Sequence, residues 1–320
     1  MRAVVVREFG PPRVLEPAEV EEVRAGPGDV VIDVEFANVT FVETQVRAGK
    51  PPHPSMLPAL PAILGNGVGG VVAPGEGGAG AGLAGRQVVA SLNGTGGYAE
   101  RAVSPAGRLI EVPDEVALRD AVALLADGRT ALALAGRAAL RVGDTVLVEA
   151  AAGGVGTLLV QIARNAGARV VALAGQPRKV AVARDLGADL AVDYGRDDWP
   201  DRVRDAVGRV DVVFDGVGGD IGLAAFGLLG PGGRFCPFGM ASGSFTPVSA
   251  ERAQARGVVI PAGAAASQED LLALSRAALA EAAAGRIRPV VGQEFGLADA
   301  ASAHQAIETR TTIGKTLLTA

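Results

Sequence analysis

Cysteine occurs once in the 320 residues, at Cys236, and histidine twice, at His53 and His304. A single thiol excludes an internal disulfide framework. Together the three are too few for a structural zinc site of four Cys and His ligands, although a carboxylate-rich metal site passes this count. No stretch of about 18 apolar residues runs free of charge, so no membrane span is expected. The longest apolar stretch in the middle of the chain is broken by Asp127, Arg129, Arg137 and Arg141. Residues 1–10 carry Arg2, Arg7 and Glu8 without a continuous apolar run, which does not read as a secretory signal. Basic residues are not in excess: 30 Lys and Arg against 35 Asp and Glu give a net charge of −5, no footprint for nucleic acid. The expectation is a cytoplasmic globular protein.

What is present supports a large folded core. The hydrophobic fraction is 49%, which argues against disorder, and the length favours two domains. Residues 1–117 have a β-like texture: short apolar runs at 3–6, 30–36, 71–72, 87–91 and 99–103 are punctuated by Gly and Pro, as in a compact barrel or sandwich. The stretch 74–85 is mostly Gly and Ala and reads as a surface loop. From about residue 118 the period changes. Apolar strands at 145–150, 169–173, 188–192, 211–215 and 233–238 alternate with helices at 154–165, 179–186, 199–207 and 222–229. That alternation predicts a parallel, doubly wound sheet. The tail has a helix near 269–285, a strand at 290–295, a helix near 298–308 and a last strand at 315–319, of the same texture as the first domain.

The first strand of the alternation runs into Ala151-Ala152-Gly153-Gly154-Val155-Gly156 and then a helix. Ala151 stands where the strict GxGxxG fingerprint has its first glycine. Gly153 lets the backbone approach a pyrophosphate, and Gly156 lets the helix pack close to the strand. The pyrophosphate then meets unpaired N–H groups at the positive end of the helix. The glycine cluster alone is weak evidence; its place between strand and helix within repeated βα units makes it strong. After the second strand come Ala174, Gly175, Gln176, Pro177, Arg178 and Lys179, and no carboxylate appears until Asp185. An NAD site usually has an acid about 20 residues past the glycines, bonded to the ribose 2′-OH. Here Arg178 and Lys179 offer cations for a 2′-phosphate instead, so NADPH is the expected cofactor.

The run Val148-Glu149-Ala150-Ala151-Ala152-Gly153-Gly154-Val155-Gly156 resembles the cofactor turn of the zinc-independent quinone oxidoreductases, which include zeta-crystallin, within the medium-chain dehydrogenase/reductase superfamily. The resemblance covers nearly the whole chain. Phe41-Val42-Glu43-Thr44 with Arg47 and Gly49, the glycine-rich 65–72, Gly97-Tyr98-Ala99-Glu100, 215–219, Phe238-Gly239 and 310–315 all fit it. It implies an α/β architecture: a Rossmann NADPH-binding domain at 118–263 and a GroES-like β-barrel catalytic domain from 1–117 and 264–320, with substrate and nicotinamide meeting in the cleft. It also implies a cofactor set. Lys179, Tyr194 and Arg310 would contact the 2′-phosphate, with Gly175 and Arg178 nearby. Gly153, Gly154, Val155, Gly156, Asp215, Val217, Phe238 and Gly239 would lie along the dinucleotide. Thr130 would lie near the nicotinamide ribose, and Lys315 closes the set.

Departures from the family carry information as well. Zinc alcohol dehydrogenases have Cys where Thr40 stands and a His-Glu pair where Asn66 and Gly67 stand, so no catalytic zinc is expected. Compared with the quinone reductases, Thr40 replaces an Asn, Gln45 a Tyr and Gly67 an acid, and Pro51 falls where a second Tyr is common. Without a Lewis acid, the acceptor has to be a conjugated carbonyl that delocalises the added charge. The candidate donors to the developing oxygen are Thr40, Gln45, Asn66 and Thr130. Thr40 and Thr44 can instead cap a helix starting near Phe41, and Asn66 can serve a turn. His53 lies among prolines and His304 on a polar-faced helix, both as bystanders. A quinone reductase is the first reading, an enoyl or enone reductase the second, and a catalytically weak NADPH-binding protein the third. The apolar 257–262 reads as an edge strand of the Rossmann sheet, through which a homodimer would form.

Overall fold

A computed structural model describes residues 1–74, 82–262 and 267–320. The chain divides into two units, one formed by 1–126, 275–283 and 289–320, the other by 127–274 and 284–288. In the first unit, Val-, Ile- and Ala-rich runs form β1 (Arg2–Val6), β2 (Glu16–Glu19), β3 (Asp29–Val39), β4 (Ala62–Ile63), β5 (Gly67–Val72), β6 (Gln87–Ser91), β7 (Arg101–Pro105) and β8 (Ile110–Glu111). Helix α1 (Phe41–Arg47) follows β3, and α2 (Leu118–Ala138) crosses the division. The second unit alternates β9 (Thr145–Val148), α3 (Gly154–Asn165), β10 (Arg169–Ala174), α4 (Pro177–Asp185), β11 (Leu190–Asp193), α5 (Trp199–Val207), β12 (Val210–Asp215), α6 (Gly219–Leu228) and β13 (Leu229–Pro237). After α7 (Ala250–Ala255) and α8 (Gln268–Ala283), the chain returns to the first unit with β14 (Val291–Gly296), α9 (Ala300–Glu308) and β15 (Lys315–Thr319).

In the second unit the strand order is β11-β10-β9-β12-β13, every pairing parallel. The order reverses between β9 and β12, the place where doubly wound sheets open a crevice for ligands. The strands are apolar on both faces because helices cover both: Val146, Leu147, Val148, Val170, Val171, Val212, Val213 and Phe214 are all buried. Helix α5 starts with Trp199 and Pro200 and turns Trp199 and Val203 into the core. Its Pro sits in the first turn, where a missing N–H costs nothing.

In the first unit, β3 pairs antiparallel with β5, β7 and β15, so the last strand of the chain joins the N-terminal sheet. That mixed sheet runs β14-β15-β3-β5-β6-β8, and a second sheet runs β2-β1-β4. The result is an α/β chain with a Rossmann parallel sheet and a mixed sheet.

Two expectations need correction. The 21-residue helix α2 is not in the sequence reading. Its first half is buried all round, from Ala121 to Ala126, and so it shows no helical stripe. The apolar 257–262 is not a full strand: one parallel bridge joins Val259 to Arg234. Positive-φ Gly257 and the prolyl Pro261, which has no N–H to donate, confine the pairing to its middle. Most of the expected loop at 74–85 lies outside the described residues.

Gly156 sets the distance between α3 and β9. A Cβ there would lie 2.2 Å from the Ala150 carbonyl oxygen and 2.9 Å from Ala151 Cα, both backbone atoms that cannot move aside cheaply. Gly156→Ala is therefore expected to cost about 1–3 kcal/mol by overpacking. A denaturation midpoint unchanged from wild type would show that the helix has room to retreat.

Candidate active site

The turn after β9 is drawn tight. Ala150 takes φ 48°, the Gly153 N–H donates to the Ala150 carbonyl at 2.8 Å, and the Ala151 N–H donates to the Leu173 carbonyl at 3.0 Å. These bonds place 153–156 at the head of α3, where first-turn N–H groups have no intrahelical acceptor. Gly153, Gly154 and Val155 are partly exposed there, and Gly156 is buried. Gly154 has a reason of its own: a Cβ at this position would lie 1.9 Å from Asp127 Oδ2. The Asp127 carboxylate thus rests against the positive end of α3. The sequence gives no sign of that contact.

At the end of β10, Gly175 lies under the Tyr194 ring, and a Cβ there would come within 3.2 Å of it. Gln176 takes φ 75° and Pro177 opens α4. Arg178 is exposed and Lys179 partly buried on the first turn. One acid does reach this place, from β11 rather than from β10. Asp193 Oδ1 accepts from the Gln176 N–H at 3.3 Å and the Gly195 N–H at 2.8 Å. Its negative charge is spread over two backbone donors.

Glu149 and Asp215 follow the paired residues Val148 and Phe214, so the register of β9 on β12 brings two carboxyl groups together at the switch point. Both are fully buried. Asp215 Oδ1 accepts from the Val217 and Gly218 N–H groups at 3.1 and 2.7 Å, and the Thr246 hydroxyl donates to Oδ2. Glu149 Oε2 accepts from the Val217 N–H at 3.2 Å, and its Oε1 has no partner among the described residues. Burial pushes the Glu149 carboxyl well up, and the Asp215 charge and hydrogen bond push it further. Both effects favour the protonated form of Glu149. The Phe238 and Gly239 N–H groups donate to the Asp215 carbonyl at 2.8 and 3.2 Å, and the Phe238 ring covers Gly216, where a Cβ would lie 2.6 Å from it. Thr130, on α2, is partly buried.

In the first unit, Thr40 caps α1. Its hydroxyl accepts from the Glu43 N–H at 3.3 Å and donates to Glu43 Oε2 at 3.0 Å, while the Thr40 N–H donates to Oε2 at 2.6 Å. The capping alternative is the one realised, and its spacing, Thr-x-x-Glu, is the capping box. Glu43 Oε1 accepts from the Asn66 N–H at 2.6 Å, so one buried carboxylate fixes Thr40 and Asn66 together. Burial pushes that carboxyl up, and the Thr40 and Asn66 N–H groups and the Lys315 charge pull it back. Asn66 Oδ1 accepts from the Ser91 hydroxyl and the Gly94 N–H at 3.2 and 2.9 Å, the expected turn role. Gln45 Nε2 donates to Thr44 at 3.3 Å. Where the family's acid is missing at Gly67, Asn38 fills the space: a Cβ on Gly67 would lie 2.3 Å from Asn38 Nδ2. Arg310 is exposed and takes φ 57°, and Lys315 is buried. His304 is not on a polar face. It is fully buried, bonds the Tyr98 hydroxyl at 3.0 Å, and burial lowers its pKa to about 3. His53 is exposed and closes a short turn.

Among the described residues no group of three His, Cys, Asp or Glu is placed to hold a metal, and no helix is long and apolar enough to cross a membrane. The family model of the zinc-binding dehydrogenases matches residues 154–275. A 2-haloacrylate reductase of Burkholderia is 31% identical, with 99% of this chain and 98% of the relative covered. A quinone oxidoreductase of Pseudomonas aeruginosa is 31% identical over 97% of both. The solved structure of the Escherichia coli quinone oxidoreductase, complexed with NADPH, matches all of both chains at TM-score 0.88 and 27% identity.

The buried acid pair gives a pH dependence with a definite sign. Glu149 binds its proton in the folded state up to a higher pH than in the unfolded chain, where a Glu titrates near about 4.3. Above that pH the folded state holds the extra proton, so stability falls as pH rises, by at most about 1.4 kcal/mol per unit, until the folded-state pKa is passed. Glu149→Gln removes the titrating group and keeps an acceptor for the Val217 N–H. Urea denaturation from pH 5 to 8 should show the variant gaining on wild type as pH rises. Parallel curves would mean that Glu149 is already ionised in the fold.

Proposed function

The chain belongs to the zinc-independent quinone oxidoreductase family of the medium-chain dehydrogenases/reductases, and from that membership we propose that it is an NADPH-dependent reductase whose hydride acceptor is a quinone. The observation that carries the cofactor is the end of β10, where Gly175 opens the backbone beside Tyr194 and Arg178 and Lys179 stand at the head of α4. A 2′-phosphate suits two cations, and the nearby Asp193 is held by backbone donors. The strand–turn–helix at 148–156 suits a pyrophosphate, since Gly156 admits no Cβ against the Ala150 carbonyl and the first-turn N–H groups of a helix lack intrahelical acceptors.

When bound, the dihydronicotinamide supplies the hydride. The protein orients it through the turn at 153–156 and through 215–217 and 238–239. Thr130 serves its ribose. In the first unit, Glu43 holds Thr40 and Asn66 in register, and the amides of Gln45 and Asn66 are the donors for the developing quinol or enolate oxygen. Thr40 acts through its place, since its hydroxyl is engaged by Glu43. Arg310 and Lys315 complete the family's cofactor set.

The domains follow the same reading, 118–263 for the nucleotide and 1–117 with 264–320 for the acceptor. A conjugated alkene acceptor is the second reading, favoured by the 2-haloacrylate reductase among the relatives. The third, a catalytically weak NADPH-binding protein, rests on the pocket changes at Gln45, Pro51 and Gly67. The cytoplasm suits all three. Val259 and Ile260 are 53% and 36% exposed at the sheet edge, apolar surface that supports a homodimer.

Fluorescence titration decides the cofactor. NADPH is expected to bind at least about tenfold tighter than NADH, and Arg178→Ala with Lys179→Ala should erase most of that preference. Equal affinities in the wild type would contradict the assignment.

A further inference from the structure

Asp193, the last residue of β11, pairs with Ala174, the last residue of β10, so its carboxylate reaches the turn that opens α4. Oδ1 accepts from the Gln176 N–H at 3.3 Å and the Gly195 N–H at 2.8 Å. These bonds fix the carboxylate and brace Gln176, whose φ of 75° and ψ of 141° form a backbone that residues with a side chain rarely adopt. Such strain persists where the surrounding structure holds it, and it gathers at ligand sites. The second oxygen, Oδ2, takes no hydrogen bond among the described residues and stays open to water. Asp193 joins no ion pair among them either: Arg196, which feels its charge, bonds Asp198 at 3.1 Å instead. The turn therefore presents an acceptor that is held in place, charged and exposed.

Arg178 and Lys179 follow Gln176 on the first turn of α4, so the acid and the two cations share one end of β10. NADPH and NADH differ only at the adenosine ribose, which carries a 2′-phosphate in one and a 2′-hydroxyl in the other. A hydroxyl donates to a carboxylate in a charge-assisted bond. A 2′-phosphate meets the same carboxylate as a like charge. We infer that Asp193 sets the balance between the two cofactors: its Oδ2 accepts from the 2′-hydroxyl of NADH and opposes the 2′-phosphate that Arg178 and Lys179 attract. The inference rests on the NADPH-dependent reductase reading and names a specificity determinant within it. NAD sites usually place their ribose acid after the second strand. Here the third strand supplies it, and every group involved lies in the second unit.

Asp193→Asn tests the charge alone, because the amide oxygen still accepts from the Gln176 and Gly195 N–H groups. Fluorescence titration of this variant should show the affinity for NADPH relative to NADH rising at least about tenfold, chiefly through tighter NADPH. The gain should shrink between about 50 mM and about 500 mM NaCl, since salt screens a charge at a partly exposed site, and a rearranged turn would not show that dependence. The wild type supplies a second arm that no substitution can unfold: 2′-deoxy-NADH should bind at least about fivefold weaker than NADH. An unchanged NADPH-to-NADH ratio in Asp193→Asn overturns the inference, as does a gain of the same size at both salt concentrations. Equal affinities of the wild type for NADH and 2′-deoxy-NADH overturn it as well. In each of these cases the wild type still binds NADPH, so the reductase reading stands. A wild type that binds neither NADPH nor NADH overturns that reading too.

Discussion

Helix α3 approaches β9 so closely at Gly156 that the Ala150 carbonyl oxygen occupies the space of a side chain. This contact fixes where the helix begins and therefore where its first-turn N–H groups point. The turn at 150–153 stays tight, the register of β9 on β12 sets Glu149 beside Asp215, and the loops after β12 and β13 close over the same crevice through the Asp215 carbonyl. A side chain at 156 would push the helix outward and shift its first-turn N–H groups with it.

Buried carboxylates then arrange the rest. Glu43 gathers three donors from Thr40 and Asn66 and holds the start of α1 to the start of β5. Asp215 gathers the N–H groups of Val217 and Gly218. Asp127 lies at the head of α3. Each is an acid held by backbone donors or by a helix end, the arrangement that makes burial of a charge tolerable. Glu149 is the exception, since burial and the neighbouring Asp215 both push its carboxyl up.

Much of this was legible in the chain itself. The apolar runs at 145–148 and 169–174 and the glycines between strand and helix announce the parallel sheet and the tight turn into α3. Thr40 and Glu43 stand at capping-box spacing, so the cap was legible too, though not that Glu43 also reaches Asn66. Contacts made by register were not legible. Asp193 meets Gln176 because β11 lies beside β10, and Glu149 meets Asp215 across 66 residues because β12 lies beside β9. Helix α2 escaped because its buried first half is apolar on every side and has no period to read. Asn38 against Gly67 is a packing exchange between two strands, visible only once they pair.

The central claim is that backbone amides at the head of α3 hold the dinucleotide's pyrophosphate. Backbone hydrogen exchange with and without NADPH tests it most directly. The account predicts slowed exchange in the segment 151–157, with a second protected segment at 216–218. Saturating NADPH that leaves the exchange of 151–157 unchanged would contradict it.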